Sequence, residues 1–176
     1  VLWQHGTPDP GNGRIYSDLP VQVYDWDGDG ANEVLYVEQA TYAELHDPGA
    51  TIVERAKRYE GQATMVVLDG RTGERETTIP LPAPADDCFL FADLTGRGYR
   101  KDFVVKDRYW NMWGVSAEGQ ELWHWAGSTG HFPAYGDFDG DGRDEVFVGF
   151  SLIDHDGNVL FETDPRGPPQ DAAQAV

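Results

Sequence analysis

Two stretches of this chain read Asp-x-Asp-Gly-Asp-Gly-x-x-Glu, one from Asp25 to Glu33 and the other from Asp137 to Glu145. Three aspartates within five residues repel one another unless a cation joins them. Calcium takes six to eight hard oxygen ligands at flexible angles, which alternate carboxylates on a tightly turning loop supply. Asp25, Asp27 and Asp29 stand at positions one, three and five of the first loop, and Asp137, Asp139 and Asp141 at those of the other. The carbonyls of Ala31 and Arg143 fall at position seven, and Glu33 and Glu145 close the shell at nine. Gly30 and Gly142 permit the sharp turn. An EF-hand would place its glutamate at position twelve, where this chain has Tyr36 and Val148. Two bound Ca2+ ions are expected, each tying strand to strand rather than touching a substrate.

A related loop, Asp93-Leu94-Thr95-Gly96-Arg97-Gly98, keeps the first ligand and the glycines but puts Arg97 where the third carboxylate belongs. The guanidinium is expected to take the cation's place and pair with Asp93, so no metal is predicted there.

The densest run of unusual side chains lies between Lys106 and Gly136. It holds Arg108, Tyr109, Trp110 and Asn111, then Trp123-His124-Trp125, then Gly130-His131-Phe132-Pro133. In a strand, Arg108, Trp110 and Met112 would face one way and Tyr109, Asn111 and Trp113 the other. Tryptophan and tyrosine beside arginine and asparagine suit stacking on sugar rings and gripping their carboxylates. Aromatic packing between sheets is the alternative for the tryptophans. His131, on a loop after a Gly-Ser-Thr-Gly run, is placed for acid or base work, or simply caps a turn.

These residues need a scaffold, and the pattern around them repeats. Each Asp-led loop is preceded by an apolar strand, followed by a second, and completed by further strands and a tight turn. Val21 to Tyr24, Phe89 to Phe91 and Ala134-Tyr135 lead in; Val34 to Val37, Phe103 to Val105 and Val146 to Val148 follow. The fold class is therefore all-β: a partial β-propeller of about three four-stranded blades over 1–163, around 15–80, 86–125 and 130–163, with a disordered tail at 164–176. Three blades cannot close a ring, so the chain is expected to be a fragment that docks against the remaining blades of a larger propeller. The charged stretch 38–62 reads as a surface insertion whose Glu54 to Arg58 core forms one short helix.

The whole chain carries 31 acidic against 13 basic residues, a formal charge of −18. Phosphate backbones would be repelled, which sets nucleic acid aside. Cys88 is the single cysteine, so no internal disulfide forms, and no Cys/His cluster has zinc-ligand spacing, which sets thiol and zinc chemistry aside. No apolar run reaches the ~20 residues of a membrane span. The chain begins at Val1 without a signal peptide, and the natural N-terminus is expected to lie upstream.

On Tyr24 to Leu35, Val104 to Trp113 and Gly130 to Phe150, the chain resembles the calcium-binding β-propeller polysaccharide lyases typified by rhamnogalacturonan lyases, and more loosely the FG-GAP repeat proteins. The resemblance covers most of 20–162. On the lyase side it implies β-elimination at a uronate-containing polysaccharide. His131 would then be base or acid, Tyr135 its partner and Arg108 the carboxylate clamp, and this segment alone would be inactive. On the FG-GAP side it implies a non-catalytic propeller binding carbohydrate or protein at a cell surface. Either way an extracellular setting is expected, where calcium sites of modest affinity fill.

Overall fold

The computed structural model describes residues 1–6, 20–39, 63–83, 85, 88–107 and 110–163. The helix expected near Glu54, the tail 164–176, and Arg108 and Tyr109 lie outside the described residues. No helix among those described is long and apolar enough to cross a membrane.

Among the described residues, short runs of β-branched and aromatic residues, each closed by glycine or a carboxylate, form twelve strands in three antiparallel sheets of four. The first sheet contains β1 (Val21–Tyr24), β2 (Glu33–Gln39), β3 (Ala63–Asp69) and β4 (Arg75–Leu81). The second contains β5 (Cys88–Ala92), β6 (Asp102–Lys106), β7 (Asn111–Val115) and β8 (Glu121–Ala126). The third contains β9 (Ala134–Gly136), β10 (Glu145–Val148), β11 (Ser151–Ile153) and β12 (Val159–Glu162). Within each sheet neighbours in sequence are neighbours in space. In every sheet an Asp-led loop joins the first two strands, so Tyr24 pairs with Glu33 and Gly136 with Glu145.

The repeat extends to its irregularities. The third and fourth strands of each sheet slip register just before their turn, at Val67/Leu68, Gly114/Val115 and Leu152/Ile153. The turns themselves match: Gly119 N–H donates to Ser116 O and Gly157 N–H to Asp154 O, both at 2.8 Å, while Gly73 N–H donates to Asp69 O at 2.8 Å.

Alternation along strands of the second sheet explains the stacking. Phe89, Phe91, Phe103, Val105 and Val115 bury against Leu35, Val37, Met65, Val67 and Ile79 of the first sheet. The opposite face, with Leu90, Val104, Met112, Trp123 and Trp125, buries against Val146, Val148 and Ile153 of the third. Both faces of the second sheet are therefore covered, which is why β5 and β6 are apolar at consecutive positions. Each such side chain contributes about 1.5–3 kcal/mol by leaving water.

Tryptophans 123 and 125 serve this packing and not a ligand face. A Cβ on Gly114 would lie 2.3 Å from the Trp123 ring, and one on Gly127 2.3 Å from the Trp125 ring, so each indole rests on bare backbone. The Trp123 indole N–H donates to His155 O at 2.7 Å, which ties the second sheet to the third.

Candidate metal centres

The first and third loops fold alike because the same backbone amides seek the same carboxylates. Asp25 accepts from Gly28 N–H at 2.9 Å and Gly30 N–H at 3.1 Å; Asp137 accepts from Gly140 at 2.7 Å and Gly142 at 3.1 Å. Asp27 accepts from Asp29 N–H, and Asp29 from Ala31 N–H. Asp139 and Asp141 repeat this with Asp141 and Arg143 N–H. Gly30 at φ 87° and Gly142 at φ 88° hold the left-handed turn that a side chain would strain.

The same carboxylates also converge on one another. Asp25, Asp27 and Asp29 bring one oxygen each within 4.8 Å of one another, as do Asp137, Asp139 and Glu145. Glu33 and Glu145 open the second strand of their sheets and are buried, 3% and 0% exposed. Glu33 Oε2 accepts from Trp26 N–H at 2.6 Å, and Glu145 Oε2 from Phe138 N–H at 2.7 Å. Burial pushes both carboxyls above the usual carboxylate range, against the lowering effect of those amide bonds. Glu145 Oε1 is buried with no hydrogen-bond partner. A hard divalent cation would neutralise that crowding and give the orphaned oxygen a partner, so the donor set fits one.

The second loop surrounds its closing carboxylate with protein donors instead. Asp93 accepts from Arg97 N–H at 2.7 Å and Gly98 N–H at 2.6 Å, the turn seen in its neighbours. The closing carboxylate is Asp102, one position later than Glu33 and Glu145, with Lys101 at position nine. Fully buried Asp102 accepts from Thr95 N–H and hydroxyl on one oxygen and from Ala117 N–H on the other. The Arg97 guanidinium, expected on Asp93, instead donates to both oxygens of Glu118 at 3.0 Å and stands 3.8 Å from Asp102. Asp93 was the wrong partner because its two oxygens are consumed by backbone amides, and the side chain reaches outward to the next turn.

The second loop also joins its neighbours. Tyr99 stacks on Tyr24 at 5.8 Å, and Lys101 sits 4.4 Å over the Trp26 ring while its carbonyl accepts the Trp26 indole N–H. Arg100 binds Asp144 through two bonds of 2.8 and 3.0 Å. Asp144 accepts from Asp93 N–H, and its own N–H donates to Asp93 O. The three loops thus form one edge in chain order. Asp102, Glu118, Asp144 and His155 matter to that edge yet carry no motif; the only trace in sequence is a carboxylate opening each second strand.

Trp110 precedes β7 and Asn111 begins it. Asp107 draws both in, accepting from Trp110 N–H at 2.7 Å, Asn111 N–H at 2.9 Å and the Asn111 amide at 2.5 Å. The Asn111 carbonyl oxygen lies 3.0 Å from His124 Nε2, and His124 stacks on Trp113 at 4.9 Å. Met112 is buried on the opposite face, as the alternation required. His131 precedes β9, half-buried, with its ring 6.3 Å from Phe132. Tyr135, within β9, lies beneath the Arg100 guanidinium at 4.9 Å.

The described residues are all-β: three stacked four-stranded sheets with Asp-led loops along one edge. No family model matches the chain. It is 27% identical over 178 residues to the rhamnogalacturonan exolyase YesX of Bacillus subtilis (strain 168), across 80% of this chain and 29% of that protein. To the rhamnogalacturonan endolyase YesW of the same organism it is 23% identical over 176 residues, across 80% and 28%. The chain therefore spans less than a third of the length of the curated relatives it matches. The solved rhamnogalacturonan lyase PL11 of Bacillus licheniformis superposes with a TM-score of 0.58 at 22% identity, over 82% of this chain and 31% of that one.

Proposed function

We propose that this chain is a calcium-stabilised β-propeller segment of a polysaccharide lyase that cleaves a uronate- and rhamnose-containing polymer by β-elimination. The observation that carries the reading is the sequence similarity to two rhamnogalacturonan lyases along 80% of the chain. Its three sheets act as blades. The apolar row Phe147, Leu152 and Phe161, paired across the third sheet with Phe161 53% exposed, supports docking of a further blade.

Calcium would be held by Asp25, Asp27, Asp29, the Ala31 carbonyl and Glu33, and by Asp137, Asp139, Asp141, the Arg143 carbonyl and Glu145. It supplies charge neutralisation and fixes each loop against its sheet. Such sites fill readily at extracellular calcium, which favours secretion or a cell-surface setting.

In the elimination itself, His131 takes the C5 proton or returns one to the departing oxygen, with Tyr135 as its partner. Arg108 grips the uronate carboxylate, beside Tyr109, Trp110 and Asn111. The segment is inactive until joined to the rest of the site. A parent protein carrying this segment, given rhamnogalacturonan, should release an ultraviolet-absorbing unsaturated product, and His131→Ala should abolish it. No absorbance with any uronate polymer would overturn the lyase reading.

A second reading, a non-catalytic FG-GAP-type propeller binding carbohydrate or protein, is favoured by how far candidate groups are committed within the chain. Asn111 uses both ends of its amide internally, and Tyr135 lies under Arg100. It predicts binding that is lost on Trp110→Ala or on chelation, with no bond cleaved.

A further inference from the structure

We propose that the third loop carries a second donor set, Asp141, Glu145 and His155, that takes a zinc-class divalent cation in competition with calcium. The proposal rests on reading this loop as a metal site and adds a cation that the first loop cannot hold in the same way. One atom each of Asp141, Glu145 and His155 lies within 4.8 Å of the others, separately from the all-oxygen group of Asp137, Asp139 and Glu145. Both sets need Glu145, so one ion excludes the other.

The difference arises where the last turn of each sheet meets that sheet's Asp-led loop. In the second sheet this turn presents Ala117 N–H to Asp102, which leaves neither Asp102 oxygen unpaired. In the third sheet His155 occupies the turn, and its N–H is spent on Asp154 Oδ1 at 2.7 Å. Glu145 Oε1 is left buried without a partner, on a side chain with no exposure. The His155 ring is turned toward the same place. Its Nδ1 is buried, 3.7 Å from Asp141 Oδ2 and 2.7 Å from Asp154 Oδ1, yet makes no aligned hydrogen bond. Of the three buried side-chain polar atoms without a hydrogen-bond partner among the described residues, two belong to this cluster.

Donor chemistry selects the ion. Calcium and magnesium take oxygen, whereas an imidazole nitrogen with carboxylates suits zinc, cobalt or nickel. The acidic group of the first loop, Asp25, Asp27 and Asp29, includes no histidine. Arg143 NH1 lies 2.7 Å from His155 Nε2, so Nε2 accepts and Nδ1 carries the ring proton. A cation at Nδ1 moves that proton to Nε2, and the exposed Arg143 gives up its contact.

The test is calorimetric titration of Zn2+ into the metal-stripped chain, with and without calcium, and Co2+ titration followed by visible absorption. One zinc per chain should bind, weakened by added calcium and by Asp141→Asn. His155→Ala should lower zinc affinity by about tenfold or more, since even indirect supports of a metal ligand cost 10–100-fold. His124→Ala, His131→Ala and Asp27→Asn should leave zinc affinity unchanged. The carbonyl that receives the Trp123 indole survives in His155→Ala, and equal melting of the stripped variant and stripped wild type would confirm an intact fold; His155→Asn provides a second variant. Zinc affinity indifferent to His155, or to calcium in a chain that does bind calcium, would overturn the proposal. Zinc binding through His155 in a chain that binds no calcium would instead sink the calcium reading and leave the histidine donor standing.

Discussion

The second and third loops share a backbone and differ in how they satisfy a buried carboxylate. Asp102 is surrounded by protein donors: an amide and a hydroxyl from Thr95, an amide from Ala117, and Arg97 nearby. Glu145 has one oxygen bonded to Phe138 N–H and one left over. A carboxylate sealed from water needs partners. One loop grows them from its own chain, while the other leaves one oxygen without a partner. The stability of the second loop should then be intrinsic, and that of the first and third conditional on metal.

The largest expected effect is in the second loop. Asp102→Ala strands buried donors on Thr95 and Ala117 and should cost about 3 kcal/mol, equally with calcium or chelator. Glu145→Gln should cost more in calcium than in chelator. Equal calcium dependence of the two variants, read by urea unfolding, would erase the distinction.

A pH series sharpens the same contrast. Burial raises the Glu33 and Glu145 carboxyls above the ordinary value of 4.5. In chelator, then, the folded state holds their protons more tightly than the unfolded chain. That contribution is fully present below pH 4.5 and is lost as pH rises through the folded values. Melting in chelator should fall across this window. Saturating calcium, which favours the ionised form, should flatten or reverse the slope.

Arg97→Ala should have the smallest effect, about 0.5 kcal/mol or less, because its pair with Glu118 is exposed on both sides. It should create no calcium site, since Thr95, the new alanine and Lys101 leave positions three, five and nine of that loop without a carboxylate.

The sheets were legible because β-branched and aromatic runs ended at Gly, Asp and Asn, and the matching turns of the two acidic loops because Asp, Gly and Glu recur there at the same spacing. What escaped depends on contacts distant in sequence. Arg97 meets Glu118 across 21 residues and Arg100 meets Asp144 across 44, separations that no local pattern encodes. Asp102 escaped because one extra residue puts Lys101 at the expected ligand position. The tryptophans of β8 could face core or sugar by sequence alone; Gly114, opposite Trp123, and Gly127, two residues beyond Trp125, are the sign that the indoles lie on backbone.

Calcium titration of the metal-free chain by calorimetry tests the central claim most directly. Two equivalents should bind, taking the formal net charge from −18 to −14. Asp27→Asn should remove one, Asp139→Asn the other, and Asp93→Asn neither, with melting raised by calcium in the wild type. No calcium bound, a third equivalent lost with Asp93→Asn, or melting indifferent to chelator would contradict it.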